Sequence, residues 1–487
     1  MVTEAESLAR KVAPIQSPRL RLSQSIVAGI AALLDLGLVT GSGLLIYWLY
    51  VGPVEPERFP AYAGAIALFA LLVQQTFLAL GLYRFNCIIR PARQARRLVM
   101  IPAGLFLLLL AVAFALKVSE EFSRLWAFSW VAAVMLLLPL GRYAVASFLR
   151  RLAAGGLIGR NIVIYGAGPQ GAALIRHIEA MQEPWNRVIG VFDDRSTRQV
   201  DDLGGYPVLG GLQELVSWAR DHRADEVLLA LPWNADQRLL QITHILSVLP
   251  ADIRLSPEFV GADFLHRRTS FQYGVPMLSL MDKPVSGWSA LVKQLMDFGL
   301  ASLFLILTAP LMGLIAIAIK LDSPGPLLFR QPRYGFNNRL IPVLKFRTMY
   351  TDRSDPAAEE LTRPDDPRVT RVGAFLRRFS LDELPQLFNV LRGEMSVVGP
   401  RPHAVKAKAG DKLYEDVVDQ YAVRHKVKPG ITGWAQVNGW RGNTATEADL
   451  LGRVEHDLFY IENWSITLDL LIILRTILVV LRGDNSY

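Results

Sequence analysis

Across 487 residues the chain carries one cysteine, Cys87, which excludes an internal disulfide and any site built on several thiolates. Charge is scarce as well. Only 20% of residues are Asp, Glu, Lys or Arg, against 52% hydrophobic, and mean hydropathy is +0.28. Such a chain is expected in a membrane. What charge there is leans positive, +8 at neutral pH. The arginines gather beside apolar segments rather than on an aromatic-studded basic face, so lipid headgroups and phosphate are the expected partners and nucleic acid is not. No small-residue cleavage site precedes the first apolar run, so residues 1–24 read as a cytoplasmic tail rather than a cleavable signal.

Four apolar stretches of spanning length follow, roughly Ile26–Val51, Tyr62–Leu82, Leu98–Leu116 and Leu125–Leu149, which predict a four-span transmembrane bundle over residues 25–152. Arg10, Lys11, Arg19 and Arg21 precede the first. Arg84, Arg90, Arg93, Arg96 and Arg97 lie between the second and third, and Arg150, Arg151 and Arg160 follow the fourth. The other two loops are acidic or mixed, so both ends of the bundle are expected in the cytoplasm. Asp35, beside Gly37, Gly41 and Gly43, is expected on a packed helix–helix seam.

Residues 158–282 read as a Rossmann-like, parallel α/β domain of CoA- or nucleotide-binding type. Its first strand runs into Gly166-x-Gly168-x-x-Gly171 and a helix, the glycine spacing that lets a backbone approach a pyrophosphate. Asp193 and Asp194 close the second strand, where an acid would hold a ribose. Spans followed by such a domain also describe membrane-bound NAD-dependent nucleotide-sugar dehydratases or epimerases, which need a tyrosine with lysine four residues on. None of the fourteen tyrosines has it; Tyr165 is followed there by Pro169. Regulation or dimerisation is the expected role of this domain. Its ligand stays open at this point, as does the oligomeric state, a homodimer included.

Residues 288–487 form the third part. Its first stretch, about 292–320, is long enough to span, but Lys293 precedes it and Lys320, Arg330, Arg333, Arg339, Lys345 and Arg347 follow. Crossing would carry the second cluster to the wrong side. Pro310 at its centre removes an amide and forces a kink, so a re-entrant helix that returns to the cytoplasmic face is expected. Two strand-like runs then flank Gly335-Phe336-Asn337-Asn338, a predicted hairpin. Lys345 and Arg347 suit phosphate binding or headgroup snorkelling equally. Leu458–Leu481, interrupted by Glu462, Asp469 and Arg475, reads as an interfacial helix.

Between these lies the acidic pair Asp382-Glu383, framed by Arg377, Arg378 and the turn Gly399-Pro400-Arg401-Pro402. One carboxylate can attack phosphorus or hold a divalent cation while guanidinium forks take phosphate oxygens. Ser380 with Glu383 three residues on also fits a capping box, with Pro385 near a helix start. Lys428, Arg441 and the amides near Gly430 could grip a pyrophosphate, or simply build a turn.

The stretches LDSPGPLLFRQPRYG, KFRTM, SLDELPQLFNVLRGEMSVVGPRP and KPGITGWAQVNG together resemble the bacterial sugar transferase family, the monotopic phosphoglycosyl transferases, and the parts ahead of them match its large-membered subgroup. The resemblance implies a membrane α plus α/β fold with a monotopic catalytic domain on the cytoplasmic face of the bacterial inner membrane. It implies transfer of a sugar 1-phosphate, glucose-1-phosphate above others, from a UDP-sugar such as UDP-glucose to undecaprenyl phosphate, the first membrane step of exopolysaccharide, capsule or O-antigen synthesis. By the same resemblance Asp382 is the nucleophile and passes through a phosphosugar ester, and Glu383 helps it hold Mg²⁺. Arg377 and Arg401 bind phosphate, with Lys345, Arg347 and Glu394 as further candidates. The family's Ser-Pro kink is Ala309-Pro310 here. A non-catalytic, nucleotide-sensing membrane scaffold is the remaining alternative.

Overall fold

The structure, a computed structural model, describes residues 23–154, 159–181, 183, 185–195, 202–231, 236–256, 269–272, 275–351, 366–403, 408–409, 412–414, 421–440 and 446–482. Two compact units divide it, Ser17–Gly159 and a second that holds Arg160–Tyr487.

The first unit is helical: α1 Gln24–Ile46, continued by a wider turn over Tyr47–Val51, α2 Phe59–Ala79, α3 Ala95–Ala115 and α4 Arg124–Ala154. Each is long and apolar enough to cross a membrane. Glycine sets one close approach, because a Cβ on Gly43 would lie 2.8 Å from the Trp130 ring. The gap lets two indoles of α4 bond back to α1, Trp126 Nε1 to Gly43 O at 3.1 Å and Trp130 Nε1 to Val39 O at 3.0 Å. Asp35 lies on this seam. Its partner is Arg142 of α4, whose guanidinium donates to Oδ2 at 2.6 Å with both side chains buried.

The second unit opens with a six-stranded sheet, β1 Arg160–Tyr165, β2 Asn186–Phe192, β3 Glu226–Leu229, β4 Asp252–Leu255, β5 Thr269–Gln272 and β6 Val275–Met281, in the order β2-β1-β3-β4-β6-β5. The first four run parallel, while β6 is antiparallel to β4 and to β5. The sheet is therefore mixed, not wholly parallel as the sequence suggests. Its last two strands join as a hairpin, which needs no crossover helix. Alternate residues face opposite layers. Ile162 and Ile164 pack with α5 (Pro169–Ala180), whereas Val163 and Tyr165 pack with α6 (Leu212–Asp221) and α7 (Asp236–Leu246). A Cβ on Gly166 would lie 2.5 Å from Ala230 O, and one on Gly171 would lie 2.1 Å from Gly166 O. Those two glycines are required by packing. Gly168 faces open space.

The rest of the unit is organised by α8, Gly287–Asp322, the fifth helix long and apolar enough to cross. It continues through Pro310 without interruption. Its early part contributes Ala301 to a core with Val343, Leu387, Val398, Tyr460 and Ile472, and its last turns contribute Ile315 and Ile319 to a second core with Phe346 and Leu376. Between them Ile306 and Leu307 stay 72% and 66% exposed, an apolar face the protein does not cover. The hairpin forms as read, β7 Leu328–Tyr334 against β8 Leu340–Phe346, with Asn337 and Asn338 left-handed at its tip. The C-terminal segment is not one interfacial helix. It breaks at Asn463–Ser465 into α11 Glu447–Glu462 and α12 Ile466–Arg482, where Ser465 Oγ accepts from Leu468 N. Asp469 faces inward, fully buried between Lys293 and Tyr460.

Candidate active site

The acidic pair is held from three sides. Before it, α9 (Arg371–Arg378) is capped by Thr370, whose hydroxyl accepts from Gly373 N at 2.9 Å. A Cβ on Gly373 would lie 2.1 Å from Thr348 O, so only glycine lets this helix lie against the backbone that follows β8. The helix stops at Ser380, which turns left-handed (φ 55°), and Leu381–Glu383 make a single tight turn. The capping box therefore does not form. An N-cap needs extended φ and ψ, Ser380 lacks them, and the next helix, α10 (Gln386–Leu391), begins only at Gln386.

Strand β8 supplies the second side. Lys345 Nζ donates to Glu383 Oε1 at 2.8 Å and stands 3.8 Å from Asp382 Oδ2, beyond hydrogen-bonding distance. The strand is tied to α10 by Asn389, whose Oδ1 accepts from Leu344 N and whose Nδ2 donates to Pro342 O. The third side is the turn after β9 (Ser396–Val398). From it Arg401 forks onto Glu383, Nη1 to Oε2 at 3.0 Å and Nη2 to Oε1 at 2.6 Å. That turn rests on β10 (Gly430–Thr432) through Gly399 N to Thr432 O and Gly430 N to Pro400 O.

Neighbouring carboxylates thus receive opposite surroundings. Burial pushes the Glu383 carboxyl upward, but Arg401 and Lys345, by charge and hydrogen bond, overcome it and hold the group well below the usual range. Burial raises the Asp382 carboxyl, with Lys345 pulling it back and Glu383 pushing it further. Among the described residues Asp382 accepts no hydrogen bond, so its oxygens stay available. Burial lowers Lys345 and Arg377 below their ordinary values. Arg333, lowered by burial to about 10, shares this field.

The other candidates lie at different places. Arg377 donates Nε to Thr348 Oγ1 within the field of Asp382. Arg347 spends its guanidinium on the carbonyls of Ser323 and Pro324 and on the Thr351 hydroxyl, bracing the exit of α8. Glu394 accepts from Asn389. Lys428 lies in the field of Asp297 and Lys293. Arg441 falls outside the described residues. In the Rossmann-like domain the acids already have partners: Asp193 takes Ala167 N, and Asp194 takes Tyr165 OH, Leu212 N and Arg238.

Residues not singled out from the sequence frame the pair. Arg333 donates to Pro402 O at 2.5 Å. Arg424, 1% exposed, reaches Arg401 O, Tyr421 OH and Asp457, and its neighbour His403 lies between Tyr421 and Arg453. Arginines and histidines scattered over 120 residues offer no spacing that groups them. Asn389, polar within the apolar run QLFNVL, was the one visible signal.

A carboxylate pair with only two members suits a magnesium ion that keeps its waters and takes substrate phosphates. Among the described residues no group of three or more acidic, histidine or cysteine side chains could hold a metal alone. Asp382, with free oxygens, and Glu383 are the pair that fits.

Residues 288–483 match the bacterial sugar transferase family and residues 78–257 match a CoA-binding domain. The undecaprenyl-phosphate glucose phosphotransferase of Komagataeibacter xylinus is 41% identical over 360 residues, 74% of this chain and 66% of that protein. The UDP-glucose:undecaprenyl-phosphate glucose-1-phosphate transferase of Escherichia coli K12 is 40% identical over 356 residues, 73% of this chain and 74% of its own. The protein of the same name from Xanthomonas campestris is 34% identical over 480 residues, 97% of both chains. With its carboxylate pair, basic strand and arginine turn inside the matched region, the chain belongs to the bacterial sugar transferase family.

Proposed function

We propose that the chain transfers glucose 1-phosphate from UDP-glucose to undecaprenyl phosphate, with Asp382 as nucleophile. The observation that carries this is the split pair: Glu383 is charge-balanced by Arg401 and Lys345, while adjacent Asp382 is buried with no hydrogen bond from any of the described residues. A carboxylate so placed is short of solvation and suited to attack. An Asp382 oxygen bonds to the sugar-proximal phosphorus, the phosphorus–oxygen bond to UMP breaks, and UMP leaves with that electron pair. A phosphate oxygen of undecaprenyl phosphate then bonds to the same phosphorus and expels the carboxylate, giving undecaprenyl-diphospho-glucose and restoring Asp382.

Arg401, Lys345 and Arg377 hold the diphosphate, and Arg401 and Lys345 are shared between it and Glu383. Asp382 and Glu383 would hold Mg²⁺, which when bound neutralises charge that would repel an anionic nucleophile.

One site must meet a water-soluble donor and a lipid acceptor, and α8 supports a re-entrant reading. Its N-terminal Lys293 bonds Asp469 and its C-terminal Ile319 packs with Phe346, so both ends are built into one folded unit. Thr308 Oγ1 donates to Phe304 O beside Pro310, back-bonding that favours a bend. The four apolar helices ahead would span the bacterial inner membrane with the catalytic unit on the cytoplasmic face, and the product would begin an exopolysaccharide. Regulation or dimerisation is the role left to the Rossmann-like domain. A dehydratase reading lacks its acid–base pair, since no tyrosine is followed by lysine four residues on.

Purified protein with Mg²⁺ and undecaprenyl phosphate releases UMP from UDP-glucose with turnover. Asp382→Asn lowers the rate by about a thousandfold or more while the protein stays folded in the membrane. Full activity in that variant removes Asp382 from the mechanism.

A further inference from the structure

Lys345 and Arg333, the two cations of the hairpin that face the acidic pair and its turn, sit on a ribbon whose far end is gripped by the Rossmann-like domain. Helix α6 ends at Asp221 with backbone carbonyls that have no partner within the helix. The hairpin tip supplies donors. Asn337 Nδ2 reaches Ala219 O at 3.0 Å, Arg339 Nε reaches Arg220 O at 3.0 Å, and Arg339 Nη2 reaches Asp221 O at 3.0 Å. A cation at the negative end of a helix dipole is favourable. The left-handed backbone of Asn337 and Asn338, tolerable for asparagine, aims the tip at this helix end.

From the tip the ribbon runs in continuous register, Leu340 opposite Tyr334 through to Phe346 opposite Leu328. Arg333 holds the Pro402 carbonyl next to Arg401, and Lys345 holds Glu383. At its other end α6 starts against Asp194, which accepts from Leu212 N at the mouth of the glycine-rich crevice. One helix and one ribbon thus connect that crevice to the acidic pair.

We propose that Asn337 and Arg339 are positioning residues for the transfer reaction: their clamp on α6 fixes the ribbon that places Arg333 and Lys345. The inference rests on the reading of Asp382 as nucleophile. A loosened ribbon leaves substrate recognition by Arg401 and Arg377 in place but weakens the hold of Lys345 on the pair.

The test uses the full chain in lipid nanodiscs, following UMP release from UDP-glucose with undecaprenyl phosphate. In the Asn337→Ala/Arg339→Ala double variant kcat falls about tenfold with KM for UDP-glucose little changed. Arg339→Lys, which keeps a cation at the helix end, recovers part of the loss. A folded double variant with unchanged kcat overturns the proposal, as does a loss that only follows the folded fraction and is not recovered by Arg339→Lys. Asp382→Asn is assayed alongside: activity there overturns the proposed function, whereas an inactive Asp382→Asn beside an unaffected double variant overturns the clamp alone.

Discussion

Asp382 and Glu383 have nearly the same chemistry and adjacent positions, yet their environments give them different work. Pairs of titratable groups pushed apart are how acid and base roles are divided. The sign for activity follows. As the proposed nucleophile, Asp382 would attack only when ionised; burial raises its carboxyl, so activity is expected to be lost as pH falls through that raised value, at a pH above that of an ordinary aspartate near 3.9. Lys345→Met moves the acid limb higher still, read from kcat against pH. Arg401→Lys keeps the charge but loses the two-pronged contact with Glu383, and a drop in kcat/KM of about tenfold or more is expected. Lys345, Arg401 and the acids were legible as residues because they sit in compact motifs. Arg347, inside the same motif as Lys345, turned to the carbonyls at the exit of α8. Two residues apart on a strand share a face, so spacing alone did not separate their roles.

At the scale of elements, backbone contacts decide what is tolerated. A Cβ on Gly430 would lie 2.1 Å from Gly399 N and 2.4 Å from Thr432 O. Gly430→Ala has no side chain to push aside, so β9 and β10 must part and the Arg401 turn must shift. We expect a loss of about 1–3 kcal/mol in stability and most of the activity, checked by thermal unfolding and UMP release. The short helical turn Tyr421–Lys426 carries a second prediction. Burial, with Arg424 adding to it, lowers His425 to about 3 and holds His403 well below its ordinary value. An unfolded histidine takes a proton near 6.5, so stability is full above that pH. It falls as pH drops from 6.5 toward 3, by about 1.4 kcal/mol per unit for His425, and His403 adds to the fall in the same direction. His425→Asn makes the midpoint of heat unfolding less steep in pH between 7 and 5.

For the molecule as a whole, the question is on which side of the bilayer the catalytic unit stands. Both ends of α8 pack into one folded unit, and the proposed re-entrant reading puts both in the same compartment. In a Cys87→Ser background, Ser286→Cys and Arg330→Cys, both exposed, are expected to react with a membrane-impermeant maleimide in inside-out vesicles and not in spheroplasts. Labelling of the two from opposite sides would make α8 a crossing helix and remove the re-entrant reading.

Composition, charge asymmetry and apolar length by themselves determined the five long helices, the glycine-rich turn after β1, the hairpin and the acidic pair with its arginine turn. All are local: a run of apolar residues, a turn or a motif is written within a few dozen positions. The tertiary structure alone decided the antiparallel strands that make the sheet mixed, the Asp35–Arg142 pair, the buried cluster around Arg424, and the grip of Asn337 and Arg339 on α6. Those depend on which distant segments come within about 3 Å of one another, and neither residue type nor spacing encodes that distance.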